Sequence, residues 1–235
     1  METASELSCP PEMLPFIVHA ACKVQAEREA WKWMERNQPP FVLNTVLPYW
    51  TVRRSPLTYI GAVAPTNWHP MQLGKILHPK IGGSSMSWMK NILHGDRSVF
   101  QLPPREPPSN GRPHGLEPNT GQTTEWFVDV EDAARLHVIA LLSDKVQGER
   151  LFAFASPFTW ADIVRLLRSL QPGNQHIPAP PEIEERICCP IPPVARAEEL
   201  LRDAFGREGW TPLEKSLAAG LETLHDTDSR SDKGE

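Results

Sequence analysis

His19 and Lys23 stand four positions apart in the run His19-Ala20-Ala21-Cys22-Lys23, so one helical turn brings an imidazole and an ammonium to one face. An imidazole can donate a proton near neutral pH, and a cationic neighbour depresses its pKa. The neighbouring charge thus works against keeping a proton on His19 and does not activate it as it would a phenol. The plainer alternative, a histidine at the start of a helix, stays open on residue types alone.

Other polar residues invite structural readings. Asp129 precedes a helical pattern and reads as an N-cap in preference to an acid catalyst. Glu27 and Glu29 read as solvated helix charges. His137 and the remaining histidines show no His-x-x-x-His spacing with a carboxylate, so no metal site is expected. Cys9, Cys22, Cys188 and Cys189 form no Cys-x-x-Cys pair and read as reduced thiols of an intracellular, cytoplasmic protein. A dinucleotide fold needs a glycine-rich turn that lets backbone N–H groups reach the pyrophosphate. No Gly-x-Gly-x-x-Gly occurs among the 14 glycines, and Gly82-Gly83 runs into serines.

The elements that must hold these residues alternate between helix and strand. Apolar positions from Ala20 to Trp33 predict an amphipathic helix from His19 to Asn37, closed by Pro39-Pro40. Phe41 to Leu47, closed by Pro48, reads as a buried strand of a parallel sheet. Met86 to Leu93 predicts a second helix. Trp126 to Val128 predicts a strand, Val130 to Ser143 a helix, and Leu151 to Ala155 another strand after a turn at Gly148. Thr159 with Asp162 caps a helix carrying Ile163, Val164, Leu166, Leu167 and Leu170 on its apolar face. After a proline-rich connector, a helix from Ala195 to Phe205 should turn Leu200, Leu201 and Phe205 inward. The last helix is signposted by Thr211 as N-cap, Pro212 and Glu214, with Leu213, Leu217, Leu221 and Leu224 as its stripe.

The chain has 235 residues, 25 of them proline, enough for a domain of ordinary size crossed by long irregular stretches. A net charge of −5 with dispersed lysines and arginines argues against nucleic acid. No apolar run approaches a membrane span of about 20 residues.

The helix around Lys23, with its acidic and aromatic tail and the strand ending Asn44-Thr45-Val46-Leu47-Pro48, resembles the extended short-chain dehydrogenases of the NAD-dependent epimerase/dehydratase superfamily. It is most similar to fungal aldehyde reductases and ketoreductases related to dihydroflavonol reductases. Gly82-Gly83-Ser84-Ser85-Met86-Ser87-Trp88-Met89 looks like that family's substrate-side helix start. Trp126-Phe127-Val128-Asp129-Val130-Glu131-Asp132-Ala133-Ala134 is similar to its Phe-Val-Asp-Val-x-Asp-x-Ala signature. The family carries Tyr-x-x-x-Lys where this chain has His19 and Lys23, so the lysine is kept and the tyrosine replaced. The family's catalytic serine has no counterpart upstream of His19.

The resemblance implies an α/β fold, the C-terminal half of a doubly wound Rossmann-type reductase with few parallel strands and long Pro-rich insertions. It divides the chain into an irregular 1–18, a Rossmann helix-strand remnant 19–52, an insertion 53–73, a substrate-side helix 74–102, a second insertion 103–124, a substrate domain 125–225 and a tail 226–235. Residues 1–18, 53–73 and 105–124 have the look of translated introns, which would make His19 a product of the gene model. By resemblance, catalysis falls to Lys23 and to His19 in the tyrosine's place, cofactor contact to Lys23 and Pro48, and the substrate pocket to Tyr49, Ser84, Ser85 and Trp88. The implied cofactor is NADP or NAD, although the glycine-rich turn is absent. The implied substrate is a small carbonyl compound of fungal secondary metabolism, with room for a second chain to supply the dinucleotide-binding half. Two alternatives remain: a cofactor-independent protein that binds or isomerises a small molecule in the surviving pocket, and an inactive remnant.

Overall fold

The computed structural model describes residues 14–52, 84–101, 125–181, 191 and 193–231. The expected insertions 53–73 and 103–124 lie outside the described residues, and so do Gly82 and Gly83.

Helix α1 spans Leu14–Asn37 and so begins earlier than the pattern from His19 predicts. Pro15 permits this, because a proline in the first turn lacks only an N–H that would have no helical acceptor. The helix ends where Gln38 turns to φ 42° ahead of Pro39 and Pro40. None of the described side chains of α1 is buried; Ile17, Glu27, Trp31 and Met34 come nearest, at half-burial.

Strand β1, Thr45–Pro48, pairs in parallel with β4, Arg150–Ala153, with Val46 opposite Leu151. Strand β2, Trp50–Val52, pairs in parallel with β3, Glu125–Asp129, and β3 runs antiparallel to β5, Ser156–Phe158. The strand expected over Phe41–Leu47 is therefore shorter and only half-buried, with Phe41 and Val42 exposed. Among the described residues β1 has a strand partner on one edge alone. The strand expected over Leu151–Ala155 is likewise split. After Ala153 the chain changes sheets, and Ala155 N donates to Phe127 O at 2.7 Å, which hands the backbone to the second sheet.

Helix α2 spans Ser84–Leu93, followed by a 3-10 turn at Ser98–Gln101. Helix α3 spans Val130–Leu142, and the Asp129 carboxylate caps it by accepting from Glu131 N at 2.8 Å, as its position predicts. Helix α4 spans Trp160–Leu170 behind the expected capping box, in which Thr159 and Asp162 satisfy each other's backbone N–H groups. Its Ile163, Val164 and Leu167 are fully buried with Val52, Met89, Ile92, Phe127 and Phe158. A second core joins Val128, Leu136, Leu151 and Ala153 to Leu200 and Leu201 of helix α5, Val194–Phe205.

Phe205 departs from expectation: it is 45% exposed instead of inward. It is the last residue of α5, where Gly206 at φ 59° ends the helix, and its ring lies 5.9 Å from the Arg135 guanidinium carbon. Helix α6, Leu213–Ser231, buries Leu217 and Leu221; the side chain of Leu224 lies outside the described set. Thr211 does not play the simple N-cap part, since its hydroxyl accepts from Arg207 at 2.7 Å and its N–H goes to Asp132. No helix of the described residues is long and apolar enough to cross a membrane.

Candidate functional site

His19, Lys23 and Glu27 form an i, i+4, i+8 row along α1. His19 and Lys23 are exposed, and among the described residues neither has a hydrogen-bond or ion-pair partner. Glu27 departs from the solvated reading. Its carboxylate accepts from Arg150 Nε at 2.8 Å and Nη2 at 2.9 Å, and from Thr45 Oγ1 at 3.0 Å. The bidentate bond from Arg150 holds the Glu27 carboxyl below its ordinary value against the opposing cost of partial burial. This row therefore carries at one end the ion pair that ties α1 to both β1 and β4. Glu29, by contrast, is the expected solvated charge, paired with Lys32 at 2.8 Å and Arg36 at 3.6 Å. The Cys22 thiol is free and exposed on the same helix.

Pro48 closes β1 on the exposed side. Its position follows from Asn44, whose amide donates to Ala140 O and Val146 O and accepts from Glu149 N, locking the start of the strand to the α3–β4 turn. Tyr49 keeps 46% of its surface exposed, with its ring edge-on to Phe154 at 5.6 Å. Partial burial first, and then the hydrogen bond and charge of Glu125, push its phenol above the ordinary value.

Trp88 meets Trp50 at 4.1 Å and Trp160 at 6.4 Å, inside an aromatic cluster that also holds Phe100 and Phe158. Ser84 and Ser85 open α2, and their side chains are outside the described set. The candidate residues thus fall into three groups: His19 and Lys23 on α1, Tyr49 against Phe154, and Trp88 against Trp50. An open cleft of about 440 Å³ lies elsewhere, lined by Ser156, Glu198, Glu208, Trp210 and Leu213 among others, and includes none of the predicted site residues.

A polar cluster that the sequence does not announce lies beneath this cleft. Asp132 is fully buried and accepts from Thr211 N at 2.7 Å and Arg135 Nη1 at 2.8 Å, with Arg207 Nη1 at 3.5 Å. Asp129, also fully buried, accepts from Ser216 Oγ at 2.6 Å. The two carboxylates join the head of α3 to the head of α6. Their partners lie 79 and 87 residues away in the chain, which is why spacing gives no hint of them.

The described residues do not fit a complete dinucleotide site. The strand-to-helix turns at β3–α3 and β5–α4, where helix N-termini could receive a phosphate, are filled by the carboxylates of Asp129 and Asp162. None of the described glycines lies in either turn. No group of three or more His, Cys, Asp or Glu among the described residues could hold a metal ion.

No family model matches the chain. It is 47% identical over 204 residues to ketoreductase adrE of Penicillium rubens, covering 87% of this chain and 49% of that protein. It is 37% identical over 222 residues to ketoreductase nvfG of Aspergillus novofumigatus, covering 94% of this chain and 53% of that protein. Among solved structures it is similar to yeast methylglyoxal/isovaleraldehyde reductase Gre2 complexed with NADPH. There the TM-score is 0.53 at 15% identity, covering 87% of this chain and 54% of that one. The fold is α/β, shared with about half of a Rossmann-type reductase. The chain's homologues are fungal ketoreductases and proteins named NAD-dependent epimerase/dehydratase, and it spans about half the length of the curated relatives it matches.

Proposed function

We propose that this chain is the substrate-side half of an NAD(P)-dependent ketone or aldehyde reductase, acting on a small carbonyl compound of fungal secondary metabolism in the cytoplasm. The observation that carries the reading is the 47% identity to a ketoreductase over 204 residues. Lys23 is the residue assigned to cofactor contact beside Pro48. His19, one turn before it, is the candidate proton donor in the place where the family has tyrosine. Tyr49, Ser84, Ser85 and Trp88 are the candidate pocket residues.

The half-site has a consequence for the cofactor. With carboxylates at the β3–α3 and β5–α4 turns, the described residues offer a dinucleotide Lys23 and little else. On this reading the phosphate cradle belongs to a complementary half, on the same polypeptide or on another. Titrating the purified chain with NADPH while following nicotinamide fluorescence is expected to give no saturable signal, and saturation is expected once a dinucleotide-binding half is added. NADPH oxidation with a panel of ketones and aldehydes should follow the same dependence. Carbonyl reduction that stays absent in the reconstituted protein would remove the reductase reading.

A further inference from the structure

Helix α1 is attached to the rest of the chain at two points. The first is its carboxy end, where Gln38 stands at φ 42°, a left-handed conformation uncommon outside glycine, before Pro39 and Pro40. The chain is fixed again at Asn44, whose side chain bonds Ala140 O, Val146 O and Glu149 N. Residues 38–43 thus form a short connector, and Trp33 stacks on Phe41 across it at 6.2 Å. The second point is Glu27, about 15 Å back along the helix from Asn37. Its carboxylate closes on Thr45 and Arg150, the register partners that open the β1–β4 ladder. Among the described residues no other side chain of α1 forms a hydrogen bond or ion pair outside the helix and its connector, and none belongs to either hydrophobic core.

We infer that α1 is a latched arm, which pivots on residues 38–43 and is held to the sheet by Glu27, so that opening the Glu27 contacts releases it as an intact helix. This does not depend on the reductase reading. The helix is braced from within: Glu29 bonds Gln25 and Lys32 and pairs with Arg36, while Asn37 and Gln38 donate to Trp33 O and Glu35 O in the last turn. At 24 residues it exceeds the length of about 12–15 below which an isolated helix is marginal in water. The latch itself opens under mild conditions, since Arg150 is 49% exposed and salt screens the pair. Glu27 is faced by Arg150 from β4, by Thr45 from β1 and by Trp31 from its own helix. Arg150 keeps its charge in acid, so Glu27 is the group that titrates, and falling pH releases the arm. The consequence lies at the free end. His19 and Lys23 stand beyond the latch, His19 about 27 Å from Asn37, so a tilt of about 20° moves it by about 9 Å. The latch thereby sets where both side chains stand relative to the sheet.

The test is a distance measurement on the full chain. Cys9, Cys188 and Cys189 are changed to serine, and nitroxide labels are placed on the exposed Cys22 of the arm and, through Leu141→Cys, on the exposed end of α3. If Leu141→Cys melts early, the exposed Lys145→Cys takes its place. Electron–electron resonance at neutral pH and low salt is expected to give one narrow distance, and acid or molar salt a second, broad population. Glu27→Gln should raise that population about fivefold at neutral pH, the upper range for a part-exposed ion pair, while Glu29→Gln leaves it unchanged. Helical circular dichroism should hold steady throughout. A distribution that Glu27→Gln leaves as it was would overturn the inference, whether narrow or already broad in the parent. So would a broad population that grows only as the circular dichroism falls, since the helix would then be melting and not swinging.

Discussion

Helices α4 and α1 are built from the same kinds of residue and end in opposite states. In α4, five residues out of eleven are buried, including Trp160 and Leu167, and a complete capping box closes its head. In the 24 residues of α1 no described side chain is buried, and Leu14, Val18, Val24 and Trp33 are about half exposed. Intrinsic propensity does not separate them, since α1 is rich in alanine, glutamate and lysine. What separates them is the supply of partners. Helix α4 lies over a core in which α2, β2, β3, β5 and α6 all take part, whereas α1 reaches the rest of the chain through the Glu27 bonds and the stacking of Trp33 on Phe41. The carboxy-terminal unit closes on itself, whereas the face bearing His19 and Lys23 stays exposed among the described residues.

This contrast can be broken at several depths. Trp160→Ala should be the most damaging change, costing about 4 kcal/mol because a fully buried indole leaves a cavity under two other tryptophans. Urea unfolding followed by tryptophan fluorescence would measure it, and a loss below about 1 kcal/mol would mean the aromatic cluster is not the core described. Next comes Asp132→Ala, expected to cost about 3 kcal/mol, since the Thr211 N–H and the two guanidinium groups lose a buried acceptor. Thermal melts would read this loss, and it should coincide with release of the head of α6 in hydrogen exchange.

Glu27→Gln acts on the other region and should be milder. Arg150 is 49% exposed, so the pair is worth about 1 kcal/mol or less, and only α1 should lose exchange protection. A variant that lowers the global melt as much as Asp132→Ala does would erase the distinction between the regions. The same ion pair gives a pH test. Because the Glu27 carboxyl is held below its ordinary value in the folded chain, its contribution is complete above the ordinary carboxylate pKa. That contribution is lost as pH falls through the lowered value. Protection of α1 should therefore decline on acidification before the carboxy-terminal core unfolds. Smallest of all, Leu141→Ser on the solvent side of α3 should change stability by less than about 0.5 kcal/mol, since the side chain is 81% exposed.

Local signals were legible wherever the partners are close in sequence. Asp129 bonds two residues ahead and Thr159 three, so both caps could be read from residue order alone. The same holds for the buried stripe of Ile163, Val164 and Leu167, and for the turn at Gly148 with φ 67°. Glu27 was not legible, because its partner Arg150 is 123 residues away and an isolated helical glutamate looks solvated. The division of Leu151–Ala155 between two sheets was equally hidden, since apolar periodicity reports which residues avoid water and not which strand they pair with. Of the candidate site, His19 and Lys23 could be placed on one helical face. That Trp88 is drawn into packing with Trp50 and Trp160, while the neighbouring Tyr49 turns to Phe154, depends on contacts across the fold.

By itself, then, the order of residues determined most of the helices, the caps at Asp129 and Thr159 and the kinship with the reductases, all of which rest on short-range geometry or on local motifs. Tertiary structure alone decided that β1 pairs only with β4 among the described residues, that Asp132 becomes the buried pin between α3 and α6, and that Val24 faces solvent. The physical reason is that burial, pairing and desolvation are properties of neighbours in space, and those neighbours are chosen only when the chain has closed.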